Sequence, residues 1–176
     1  MTLNESKVTF LEGPHIYQNE DGSILISVTE LLKKYGLSKD YSMIKPEVLA
    51  AAAARGTAVH SIIEQYDNGI DPDYGDYGMD LATYMSLKND KGFEVDRSEY
   101  RVNNDFLAGS VDKVFSDGSL ADIKTCSVID EDGTMSYRWQ LSIYSYLCRR
   151  MNPGMDIPHL YIIWVRDTKG KVIAVP

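Results

Sequence analysis

Four separated stretches of the sequence carry residue types that can do chemistry if the fold brings them together. In Arg55-Gly56-Thr57-Ala58-Val59-His60-Ser61-Ile62-Ile63-Glu64, the residues Gly56, His60 and Glu64 are four apart and share one face of a helix. That face is offset from the core stripe of Val59, Ile62, Ile63 and Tyr66, so His60 sits at the rim of a core with an open approach over Gly56. A half-buried ring with an ordinary hydrogen-bond partner is the competing reading of a lone helical histidine. In Ala108-Gly109-Ser110-Val111-Asp112-Lys113-Val114-Phe115, strand alternation puts Ala108, Ser110 and Asp112 on one face and Val111 and Phe115 on the other. Aspartate is depleted in strands, and a carboxylate buried there requires a metal ion or an ion pair. In Leu120-Ala121-Asp122-Ile123-Lys124-Thr125, Asp122 and Lys124 share a face, as a simple ion pair or as part of a site. Gln140 and Tyr144 lie one turn apart on a later helix. There Gln140 falls on the apolar side, so its amide needs a partner from the protein or from a substrate.

Taken together, two carboxylates and an imidazole suit a divalent cation, Mg2+ or Mn2+. A lysine beside them can stabilise developing negative charge or help position a water molecule. Metal-assisted hydrolysis is the reaction class these groups would serve.

The elements that must position these residues can be read from periodicity and turn chemistry. Residues 8–26 alternate weakly and contain the hairpin signal Asp21-Gly22. Ser27 and Glu30 form a capping box for a short helix ending near Gly36. Pro46 opens a helix that runs to about Tyr66, interrupted or weakened at Gly56, and another helix is expected around 79–88. Strands follow at 98–103, 106–115 and 120–125, then a long helix over 136–151. An apolar strand at 160–165 turns at Lys169-Gly170 into a last strand at 172–175. The predicted architecture is α/β, a central mixed β-sheet flanked by helices, in one domain. Residues 1–45 form an N-terminal elaboration, 46–165 the core carrying the motifs, and 166–176 a C-terminal hairpin.

Composition narrows the class. At 176 residues, 44% hydrophobic and 25% charged, the chain reads as an ordinary globular domain with a sizeable core. No apolar run is long enough to span a bilayer and the opening residues lack the pattern of a secretory signal, so a cytoplasmic protein is expected. Cys126 and Cys148 are too few and too far apart for a disulfide framework or a Cys-only metal site, and both read as buried small residues. The net charge of −8 opposes binding to nucleic acid through phosphate contacts alone, though a local groove or a bridging metal ion would serve. Five aspartates between 67 and 80, among Gly69, Pro72, Gly75 and Gly78, read as a solvated loop, and their spacing fits no calcium loop. His15 and His159 have no constellation around them.

The order Gly56…His60, Gly109…Asp112, Asp122…Lys124, Gln140…Tyr144 resembles the RecB-type exonuclease branch of the PD-(D/E)xK nucleases over roughly residues 55–150. No single motif is specific; the four in this order are. The resemblance implies a restriction-endonuclease-like αβββαβ core and Mg2+- or Mn2+-dependent hydrolysis of DNA. It also implies a metal site of His60, Asp112, Asp122 and the Ile123 carbonyl, with Lys124 as the catalytic lysine and Gln140 and Tyr144 lining the site or contacting the strand. Glu64 and Glu99 rank lower, as additional groups at or behind the metal. Arg55, Lys113 and Arg138 are candidate phosphate contacts. The chain departs from members that carry four cysteines for an iron–sulfur cluster, and it has no nucleotide-binding loop or helicase segment. That leaves a compact enzyme like those phages encode, the leading His15-x-Tyr17…Ser27-Val28-Thr29 pattern adding to the impression, with a single-strand annealing or recombination protein as a conceivable partner. Two alternatives stay open: a nuclease-like fold that binds DNA or protein without turnover, and an endonuclease specific for sequence or structure.

Overall fold

The computed structural model describes residues 2–11 and 16–176, so His15 lies outside the described residues. A short antiparallel meander opens the chain: β1 (Thr9–Leu11), β2 (Ile16–Gln18) and β3 (Ile24–Ser27). The Asp21-Gly22 turn lies between β2 and β3, with Gly22 at φ 87°. Ser27 caps α1 (Val28–Lys34) by accepting the Glu30 N–H, as the capping pattern requires. The next helix, α2 (Pro46–Asp67), runs unbroken through Gly56. A Cβ at that glycine would stand 3.4 Å from Thr125 Oγ1, so the small residue marks a close approach between elements and not a break.

A 3-10 turn (Gly75–Tyr77) leads into α3 (Gly78–Lys91). Three antiparallel strands follow: β4 (Val95–Asn103), β5 (Leu107–Phe115) and β6 (Leu120–Lys124). The long helix α4 (Glu131–Met151) starts five residues before its expected position, because Asp130 caps it by accepting the Gly133 N–H. It carries the chain back to β7 (Leu160–Arg166), parallel to β6, and β8 (Lys169–Val175) returns antiparallel. The turn into β8 is Asp167–Thr168, not Lys169-Gly170. Asp167 takes the left-handed conformation (φ 54°), and its N–H is held by the Asp80 carboxylate at 3.0 Å.

The result is the expected α/β architecture, a mixed sheet of eight strands among the described residues with helices packed against it. One core cluster joins α1 and α4 to residues such as Val111, Leu120 and Ile162. The other joins α2 and α3 to Phe115, Ala121, Ile123 and Ile163. Val111 and Phe115 fall in different clusters, so the alternation of β5 slips between them. No described helix is long and apolar enough to cross a membrane.

One topological detail positions the chemistry. Strand β5 is paired along one edge by β4. Its other edge is shared: β3 pairs at Leu107 and Ala108, β6 at Lys113 and Val114. Between these two partners, Gly109 to Asp112 have a strand on one side only. The sheet therefore opens into a fork, with Asp112 at its base.

Candidate metal centre

At the base of the fork the Asp112 side chain takes over the role of a strand partner: its Oδ2 accepts the Ile123 N–H at 2.5 Å. From α2, the His60 ring reaches into the same gap. Its Nε2 lies 3.1 Å from the Ile123 carbonyl oxygen, and its Nδ1 lies 3.7 Å from Asp112 Oδ2. The third member comes from β4. The register pairs Ser98 with Lys113 and Tyr100 with Val111, which sets Glu99 opposite Asp112. Glu99 is held at φ 48°, one of two non-glycine residues with positive φ among the described residues. Ser110 Oγ donates to its Oε2 at 2.9 Å, and its Oε1 stands 3.9 Å from His60 Nδ1. One candidate ligand atom from each of His60, Glu99 and Asp112 lies within 4.8 Å of the other two.

The second half of the constellation comes from β6. Asp122 and Lys124 face α4, with Lys124 Nζ 2.6 Å from Asp122 Oδ2. That oxygen is buried and takes no well-aligned hydrogen bond. Lys124 Nζ also donates to Gln140 Oε1 at 3.2 Å and stands 4.6 Å from the centre of the Tyr137 ring. Gln140 Nε2 in turn donates to the Tyr144 hydroxyl at 3.2 Å. Both ends of the Gln140 amide are thus satisfied within the protein. Gly109 makes room for this arrangement, because a Cβ there would come within 2.6 Å of Tyr144 Cε1.

These groups perturb one another. Burial pushes the Asp112 carboxyl up to about 7, against the pull of His60. Burial also opposes a charge on His60, but the neighbouring Asp112 and Glu99 carboxylates outweigh it and raise the imidazole. Glu99, though largely desolvated, is held below its ordinary value by the nearby His60 ring and the hydrogen bond from Ser110. Lys124 is raised, because Asp122 and Asp112 overcome its burial. Such mutual perturbation around a cleft is a mark of functional sites.

The cleft itself is about 700 Å³ and is lined by His60, Glu64, Glu99, Asp112 and Tyr144. Its outer wall includes Phe10 and Tyr17, whose rings lie 4.8 Å apart, and Arg101. These three were not singled out in the sequence. An aromatic in a short strand reads as core, and nothing local to the chain signals that the N-terminal meander borders the cleft.

Of the residues expected at the metal, the structure brings His60 and Asp112 together and adds Glu99 to them. Asp122 is engaged by Lys124 and stands outside the tightest group, yet it is close enough to raise Asp112. The Ile123 carbonyl faces the His60 ring. Two candidate phosphate contacts are committed elsewhere. Lys113 is buried against Asp67 at 2.6 Å and Ser98 at 2.8 Å. Arg55 pairs with Asp80 at 2.5 Å and Asp167 at 3.3 Å, tying α2 to α3 and to the last hairpin. Arg138 is half-buried on α4 and does not line the cleft. The aspartates at 67 and 80, expected in a solvated loop, belong to helix ends and are buried by these pairs. Cys148 is buried as expected, whereas Cys126 is only half-buried.

Neither a family model nor a curated protein matches the chain. Among solved structures, one described as the crystal structure of SSO0001 is 16% identical, with a TM-score of 0.44. The match covers 86% of this chain and 66% of that one.

Proposed function

We propose that the protein is a divalent-metal-dependent DNA nuclease of the PD-(D/E)xK type, acting as an exonuclease. The observation that carries this reading is the meeting of His60, Asp112 and the Asp122–Lys124 pair at one fork in the sheet, beside an open cleft. Buried acidic groups in excess of their basic neighbours need a cation, and oxygen donors with one imidazole suit Mg2+ or Mn2+.

His60 and Asp112 would hold the metal, with Asp122 and the remaining lone pair of the Ile123 carbonyl available behind them. A bound cation supplies charge neutralisation at the phosphodiester and a more acidic water. Lys124 is the group that faces developing negative charge. Gln140 and Tyr137 hold its amine in place, and Asp122 keeps it protonated. Gln140 acts by orienting this lysine, and Tyr144 supports Gln140 and lines the cleft. DNA is the partner this reading implies.

Purified protein incubated with linear and covalently closed circular DNA in Mn2+ or Mg2+ tests it. Linear DNA is degraded and the closed circle spared. Asp122→Ala and Lys124→Ala each lose about 10²–10³-fold or more in rate while the circular dichroism spectrum is retained. Undiminished cleavage by Asp122→Ala would overturn the assignment, and cutting of the closed circle would make the enzyme an endonuclease.

A further inference from the structure

We infer that Glu99 is a direct protein ligand of the cation, sharing it with His60 Nδ1 and Asp112 on the side of the fork that opens into the cleft. This deepens the nuclease reading and rests on it for the identity of the metal. The sequence motifs that suggested a metal do not include Glu99. The sequence ranks it only as a lesser group at or behind the metal; the fold brings it forward, as the residue opposite Asp112 in the β4–β5 ladder.

Three features of the geometry point to this role. First, the histidine is oriented from behind. An N–H at Nε2 donates to the Ile123 carbonyl at 3.1 Å, so Nδ1 faces the two carboxylates, and a cation that displaces its proton meets the Nδ1 lone pair there. Metal-binding histidines are commonly fixed in this way by a backbone carbonyl on the far nitrogen. The carbonyl that the motif would count as a ligand thus also serves here to aim one.

Second, the Glu99 carboxylate is divided. Oε2 is anchored by Ser110, while Oε1 is turned toward His60 Nδ1. One oxygen is held and the other is presented. Third, the three donors lie close enough to share one ion and border the cleft, so solvent or a substrate oxygen can complete the coordination. Asp122 is less well placed for that position, because its Oδ2 rests on Lys124. One nitrogen and two carboxylates form a donor set that binds Mn2+ more tightly than Mg2+, since imidazole favours the later metal and Mg2+ prefers oxygen alone.

Mn2+ binding to the full chain, followed by isothermal titration calorimetry without DNA, tests the assignment. Glu99→Gln keeps the size of the side chain and removes its charge. It is expected to weaken Mn2+ binding by roughly tenfold or more, given that even supporting groups behind a metal cost that much. Binding within twofold of the unsubstituted protein overturns the inference, as does a failure of the unsubstituted protein to bind Mn2+. Should Glu99→Gln fail to fold, Glu99→Asp carries the test, since aspartate tolerates positive φ and shortens the reach. A several-fold loss supports the role and unchanged affinity overturns it. The two readings fail separately. A protein that binds Mn2+ through Glu99 but leaves linear DNA intact sinks the nuclease assignment alone. A protein that degrades DNA and binds Mn2+ equally well without Glu99 sinks only this inference.

Discussion

Asp112 and Lys113 are neighbours in β5, yet each belongs to a different buried charge cluster, and the two clusters are built on opposite principles. Around Lys113, the Asp67 carboxylate is buried and fully met: Lys113 and Lys88 each approach it at 2.6 Å, and the Tyr84 hydroxyl donates at 2.7 Å. Two amines and a phenol surround one acid, and a further hydrogen bond joins Lys113 to Ser98. Around Asp112 the balance is reversed. Among the described residues, three acids, Asp112, Glu99 and Asp122, meet one amine, Lys124, and the His60 ring; the Ile123 N–H and the Ser110 hydroxyl add one hydrogen bond each, and the cluster opens onto a cleft. A closed, satisfied network ties elements together. An open one with surplus acid is suited to receive a cation. The contrast is what separates a structural charge cluster from a candidate site, since burial and ionisable residues are common to both.

The largest effect should come from breaking the closed network. Asp67→Ala strands two amines, one of them almost wholly buried, and is expected to cost about 3–5 kcal/mol in chemical denaturation. A loss under 1 kcal/mol would mean that the amines escape to solvent and that the two clusters differ less than described. Next in size is Gly109→Ala. The added methyl meets Tyr144 and Val28 inside the packed fork, at an expected cost of about 1–3 kcal/mol. Because Tyr144 supports Gln140 and Lys124, DNA cleavage should fall as well, while the Asp67 network stays intact. A variant as stable as the parent would show that Tyr144 moves aside freely.

The smallest and most diagnostic change is Asp112→Asn. An acid whose folded pKa, about 7, stands above its unfolded value near 4 binds its proton more tightly in the folded state. The metal-free fold therefore loses stability as pH rises from about 4 through about 7. Asparagine removes that dependence and can still accept the Ile123 N–H. In EDTA, thermal melts should show Asp112→Asn more stable than the parent at pH 8 and not at pH 4. A destabilised variant at pH 8 would mean that the carboxylate already has adequate partners.

Much of this was legible along the chain. Ser27 with Glu30, Pro46, the Val59–Ile62–Ile63 stripe and the Asp21-Gly22 turn are local signals, and each produced the element it implies. The first turn of α4 is hidden in the sequence because Gly133 interrupts the helical pattern, and it is the Asp130 cap that starts the helix there. The final turn was misplaced because Lys169-Gly170 is the stronger turn dipeptide, whereas Asp167 reaches its left-handed conformation with help from Asp80, distant in sequence.

What the residues settled by themselves was which side chains are expensive to bury. A carboxylate in a Val-rich strand, an Asp-x-Lys pair and an amide on an apolar helix face each demand a partner wherever the chain folds. Which partner each receives was decided only in three dimensions. Arg55 and Lys113 look like phosphate contacts in the sequence and are held by Asp80 and Asp67. Glu99 ranks alongside Glu64 in the sequence, as a lesser group at or behind the metal, and stands beside His60 because strand register and the left-handed turn of its backbone put it there. Charge complementarity acts over a few ångströms of space, and separation along the chain says little about that distance.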